Sequence, residues 1–96
     1  MNMDTYYEKI KLLLDKPYYI NLVSMGITED HYNPIFSIIF KQKIKIKKTK
    51  AYFHLLDDYN NIIYYEYPDG DWVKKEYKEG RLFYFENSDG YILKKE

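Results

Sequence analysis

The residues of this sequence whose types could do chemistry are two histidines, three serines, a recurring glutamate pair and a run of lysines. His31 and His54 stand apart, with no cysteine in the chain and no carboxylate at ligand spacing. That pattern points to packing or surface histidines rather than a metal centre. Ser24, Ser37 and Ser88 occupy no nucleophile elbow, and Ser88 reads as a turn residue. Glu66 and Glu86 recur in like surroundings and could work as acid and base across a cleft. Cross-strand pairing with Lys75 and Lys95, or plain exposure, accounts for them better. None of the four glycines builds a phosphate-cradling loop. The expectation is a non-enzymatic protein without metal or cofactor.

The lysines are a different kind of signal. Net charge is zero, yet Lys41, Lys43, Lys45, Lys47, Lys48 and Lys50 fall in ten residues that hold no acid. On an extended strand the alternate lysines would project from one face about 6–7 Å apart, comparable with successive phosphates. Nucleic acid bound there would leave steeply as salt rises. Against this stand the near-absence of arginine and the lack of aromatic residues interleaved with the stripe, which single-strand binders use for stacking. The plainer reading is an edge strand kept from aggregating by its lysines. A third use is docking on an acidic protein surface.

Ninety-six residues suit a single domain with a modest core. The opening MNMDTYYEKIK is too charged for a signal peptide, and no apolar run approaches membrane-spanning length. Cytoplasmic residence, with no membrane partner, is the expectation. Thirteen tyrosines are too many to bury and supply rigid contact area where proteins meet proteins. Strand propensity in an AT-rich genome would explain them equally well.

The elements that must position these residues divide near residue 34. Thr5-Tyr6-Tyr7-Glu8 has capping-box spacing and opens an amphipathic helix over about residues 5–15. Lys16-Pro17 interrupts it, and YYINLVSM reads as a second short helix closed by Gly26. Residues 28–34 read as a loop or a single turn stopped before Pro34, which, with the acidic charge, argues against a DNA-reading helix pair. From Ile35 the period becomes 2, predicting a long strand to Lys47 with one oily and one basic face.

The last third is one unit written twice. NIIYYEYPDGDWVKKE (61–76) laid over RLFYFENSDGYILKKE (81–96) matches at 7 of 16 positions, among them Tyr64/Tyr84, Glu66/Glu86, Asp69/Asp89, Gly70/Gly90 and Lys74/Lys94. Asp-Gly and Glu-Gly tips mark hairpins, because glycine supplies the positive φ such turns need. The reading is α+β: one or two N-terminal helices packed on a six-stranded antiparallel meander. Two-residue loops at 69–70, 79–80 and 89–90 would place Ile63, Tyr65, Tyr67, Trp72, Phe83, Phe85 and Ile92 on a greasy face toward the helices. Tyr64, Tyr77 and Tyr84, with Lys75, Glu66 and Glu86, would then share the wet face and form the partner-binding surface. A three-residue bulged loop would shift this assignment.

The repeated residues Tyr64-Tyr65-Glu66, Asp69-Gly70, Trp72 and Lys74-Lys75-Glu76, echoed by Phe85–Tyr91 and Lys94–Glu96, resemble short hairpin repeats of small bacteriophage and mobile-element proteins. By analogy, the resemblance implies an anti-defence protein of the anti-CRISPR kind, one that blocks a surface of a host protein or ribonucleoprotein complex. The alternative is a nucleic-acid-binding module using Lys41–Lys50. Homodimerisation through an unpaired strand is compatible with either.

Overall fold

The computed structural model describes residues 3–95, with side chains from residue 5 onward. The chain is α+β: helices first, then a six-stranded antiparallel sheet. It falls into two compact units, Met1–Ile44 and Lys45–Glu96. Among the described residues no helix is long and apolar enough to cross a membrane.

The first unit holds helices α1 (Met3–Leu13), α2 (Tyr18–Ser24) and α3 (Tyr32–Phe40), with a 3-10 turn at Glu29–His31. Thr5 lies inside α1, so the capping-box reading of Thr5 and Glu8 does not hold, and the helix runs two residues earlier than expected. Gly26 closes α2 as expected. At φ 74° it lets its own N–H reach the Val23 carbonyl and that of Ile27 reach Leu22, the Schellman arrangement.

Helix α3 overturns the long strand placed at Ile35–Lys47, and with it the boundary at residue 34. Pro34 is the third residue of the helix, within the first turn, where no intrahelical donor is required of it. The run IFSIIF is apolar on both the 2 and the 3.6 period, and such short runs fit a buried helix as well as a buried strand. Tyr32, Ile35 and Phe36 stand at i, i+3 and i+4, and all three are buried. Rings of Tyr18, Tyr32, Phe36 and Phe40 meet edge-on or tilted at 5.9–6.4 Å. Lys41, in the left-handed region at φ 57°, ends the helix. Asn33 Nδ2 then donates to the Ile44 carbonyl at 2.7 Å and holds the exit.

The second unit is the sheet, with strands β1 (Lys45–Lys48), β2 (Phe53–Leu56), β3 (Ile62–Glu66), β4 (Trp72–Lys78), β5 (Arg81–Asn87) and β6 (Ile92–Lys94) in sequential order. Of the three glycine tips expected to be two-residue loops, Glu79-Gly80 alone is one, both residues at positive φ (54° and 77°) between the Lys78–Arg81 pair. The other Asp-Gly tips are three-residue loops. Tyr67 N–H donates to the Asp71 carbonyl and Gly70 N–H to that of Tyr67; Asn87, Tyr91 and Gly90 repeat the pattern. Asp57, Asn61 and Asn60 build the same loop without glycine, Asn60 taking φ 64°. These are type I turns with a left-handed third loop residue.

One extra loop residue turns the following strand over. Trp72 stands opposite Glu66 and Lys74 opposite Tyr64, while Val73 faces Tyr65. In β6, Ile92 stands opposite Glu86 and Leu93 opposite Phe85. Trp72 and Ile92 therefore leave the face assigned to them from the sequence, and Val73, Lys75 and Leu93 take the other.

Candidate interaction surface

On one face, a row crosses the sheet as Ile46, Leu55, Tyr64, Lys74, Glu86 and Ile92. Beside it Phe53, Glu66 and Trp72 stand opposite one another in turn. On β2 and β3 this face is closed to water: Phe53, Leu55, Tyr64 and Glu66 are each at most 2% exposed. Tyr64 Oη donates to Glu66 Oε1 at 2.5 Å in that interior. Tyr64 and Glu66 are thus core residues and not partner contacts. The face predicted to stay wet is the buried one here.

Toward β5 the same face opens. Tyr84 Oη donates to Glu86 Oε1 at 3.0 Å, repeating the Tyr64–Glu66 bond in a half-buried setting. The Glu86 carboxylate holds the Tyr84 phenol proton, with burial second, and raises its pKa above the ordinary tyrosine value. Tyr77, half-buried, pairs with Leu82 beyond a bulge in the β4–β5 ladder.

Lys75 belongs to the opposite face, where the structure assembles a row of rings the sequence reading does not foresee. Tyr52 stacks on His54 at 4.0 Å, His54 meets Tyr65 edge-on at 5.9 Å, and Tyr65 meets Tyr67 at 5.5 Å. The Lys75 ammonium lies 5.6 Å from the centre of the Tyr65 ring, within cation–π reach. Phe85, opposite Lys75, meets Tyr91 at 5.8 Å. Tyr52, His54, Tyr65 and Phe85 are half-buried, whereas Tyr67 and Tyr91 are 44% and 56% exposed. Desolvation, then the neighbouring Lys47 charge, lowers the His54 pKa, which favours the neutral ring. His54 packs between the Tyr52 and Tyr65 rings.

The signal that would have revealed this face is Pro68. A two-residue loop at 69–70 needs an N–H from the residue before it, to close the flanking pair, and proline has none. As the second residue of a type I turn with glycine fourth, it is well placed.

The lysine run does not form one stripe. β1 covers only Lys45–Lys48; Lys41 ends α3, Lys43 lies between the elements, and Lys50 sits in the turn after β1. Lys45 and Lys47 stand on the ring-bearing face, Lys47 opposite His54, and Lys48 stands on the other. Lys45 Nζ also donates to Asn60 Oδ1 at 3.2 Å.

His31, in the helical unit, accepts or donates at 3.2 Å to Tyr7 Oη and rests edge-on against Tyr6. Among the described residues, no three histidine or acidic side chains group as metal ligands do. Compared with family models, with curated proteins and with solved structures, the chain matches none.

Proposed function

We propose that this chain is a non-enzymatic binding protein that acts by occupying a surface of a larger complex, in the manner of a phage-type anti-defence inhibitor. The observation that carries the reading is the half-exposed ring row Tyr52–His54–Tyr65–Tyr67 with Lys75 over its centre. Exposed tyrosine rings are what protein-binding surfaces concentrate. Inhibition as the outcome comes from the resemblance of the hairpin repeat.

The test is capture from host lysate with nuclease at two salt concentrations, followed by affinity measurement on the captured partner. Tyr67→Ala with Lys75→Ala should weaken a nuclease-resistant complex about thirtyfold, since a central anchor carries ~2 kcal/mol. Unchanged affinity would sink the reading.

A second reading is favoured by Lys45 and Lys47 on the same face as the rings. Stacking rings flanked by lysines suit single-stranded nucleic acid. In that case binding is lost to salt, and neutralising both lysines flattens the logarithmic salt slope by about 1–2 units.

A further inference from the structure

The two hairpins share one register. Tyr64, Tyr65 and Glu66 stand opposite Lys74, Val73 and Trp72, and Tyr84, Phe85 and Glu86 stand opposite Lys94, Leu93 and Ile92. So β6 stands to β5 as β4 stands to β3. β4, however, has a second neighbour: β5 covers its far side, with Glu86 opposite Lys74 and Phe85 opposite Lys75. β6 ends the sheet, and among the described residues no strand lies beyond it.

That edge is built to pair. Asn87 donates to the Tyr91 carbonyl and Lys95 to that of Phe83, so residues 91, 93 and 95 turn their backbone groups toward β5. By the alternation of an antiparallel ladder, Ile92 and Lys94 turn theirs outward. Their counterpart in the first hairpin is in use, the Trp72 carbonyl accepting the Ser88 N–H at 3.0 Å. Edge strands usually carry charge or proline against unwanted pairing, and in β6 the charge is confined to its end, at Lys94 and the following Lys95. Here Tyr91, Ile92 and Leu93 are 56%, 59% and 37% exposed in succession. Where β6 runs out beside the Lys78–Arg81 hairpin end, a cavity of about 540 Å³ is lined by Lys78, Glu79, Arg81, Leu82, Phe83, Lys94 and Lys95, four cations to one acid.

We infer that the outer edge of β6 takes an extended acidic–aromatic segment of a partner protein as a seventh strand, running antiparallel, with a glutamate opposite Lys94 and an aromatic ring opposite Lys95. The template is internal, being the β4–β5 ladder itself. Charge complementarity selects the occupant, because the cavity's cations favour an acidic strand. The β1 edge of a second copy fits poorly, since its Lys45, Lys47 and Lys48 would meet Lys94 and Lys95. Main-chain bonds supply the attachment and the alternate side chains the choice of partner. The inference rests on the protein-binding reading and names a surface separate from the ring row.

The test uses the full chain and a synthetic peptide with the sequence of residues 81–87, RLFYFEN, followed by amide NMR. Saturable shifts should centre on Ile92 and Lys94. Lysine in place of the peptide's glutamate should weaken binding at least tenfold, and Lys94→Glu in the protein should restore that reversed peptide to within threefold of the original pair. N-methylation of the peptide glutamate, whose amide faces the edge, should abolish binding, whereas N-methylation of the preceding phenylalanine should not. Absence of saturable shifts at β6, equal binding of the reversed peptide, or shifts centred on β1 would each overturn the inference. So would self-association of the chain that the peptide does not compete away. Loss of partner binding in Tyr67→Ala with Lys75→Ala, alongside no peptide binding, would remove the edge and keep the ring row; the opposite pair of results would do the reverse.

Discussion

Tyr64 and Tyr84 hold the same place in two hairpins of the same register, and each donates to the glutamate two residues on. One lies fully in the interior and the other is half-buried. The difference comes from position across the sheet. The first copy lies beside β2, whose Phe53 and Leu55 join a dry face; the second lies beside β4, whose Lys74 and Glu76 make the same face charged. A duplicated motif thus keeps its local geometry, because turns and registers are written within each hairpin, while its solvent is decided by its neighbours.

Substitutions at the paired tyrosines separate these two contributions. Tyr64→Ala should destabilise by about 3–5 kcal/mol, as large-to-small core changes do, and Tyr84→Ala by about 1 kcal/mol or less at its half-exposed site. Chemical denaturation read at the tryptophan measures both, and equal losses would break the contrast. Removing the hydroxyl alone sharpens it. Tyr64→Phe should cost about 1–2 kcal/mol for a buried hydrogen bond to a carboxyl group, with Tyr84→Phe clearly smaller in the same assay.

The loops should show no such contrast. Gly70 and Gly90 sit at φ 96° and 89° in identical three-residue turns. Alanine at either should cost about 1–2 kcal/mol, and the two losses should agree to within about 0.5 kcal/mol.

The smallest expected effect is a pH dependence. The Tyr84 pKa is raised in the fold, first by its bond to Glu86 and then by burial. Its stabilisation is therefore whole below the unfolded tyrosine pKa of about 10 and is lost as pH rises through the folded value. Glu86→Gln should move the tyrosine absorbance titration of the folded protein toward lower pH. An unmoved alkaline limb would show that this bond is not holding the proton.

Much of the fold was legible in the residues. Asp-Gly and Glu-Gly tips located the three hairpins that β3 to β6 form, because hairpin signals are local. Helix α3 was not legible as a helix, since IFSIIF satisfies either period and only packing chooses. The faces hinged on one loop residue: the sequence carried the warning at Pro68, where a missing N–H forbids the shorter turn. The place of Lys75 against the ring row was hidden for the same reason, since it meets Tyr65 only after β4 has turned over.

The sequential order of the strands bears on how the sheet forms. Each of its five ladders joins chain neighbours across a loop of two or three residues. Loop-closure entropy is therefore small at every step, and no strand waits for a partner distant in the chain. Any hairpin can nucleate and the next add to it, as in repeat proteins. For a β-rich unit this is a low contact order, and refolding should run on a millisecond scale nearer to mixed α/β domains than to Greek-key sandwiches.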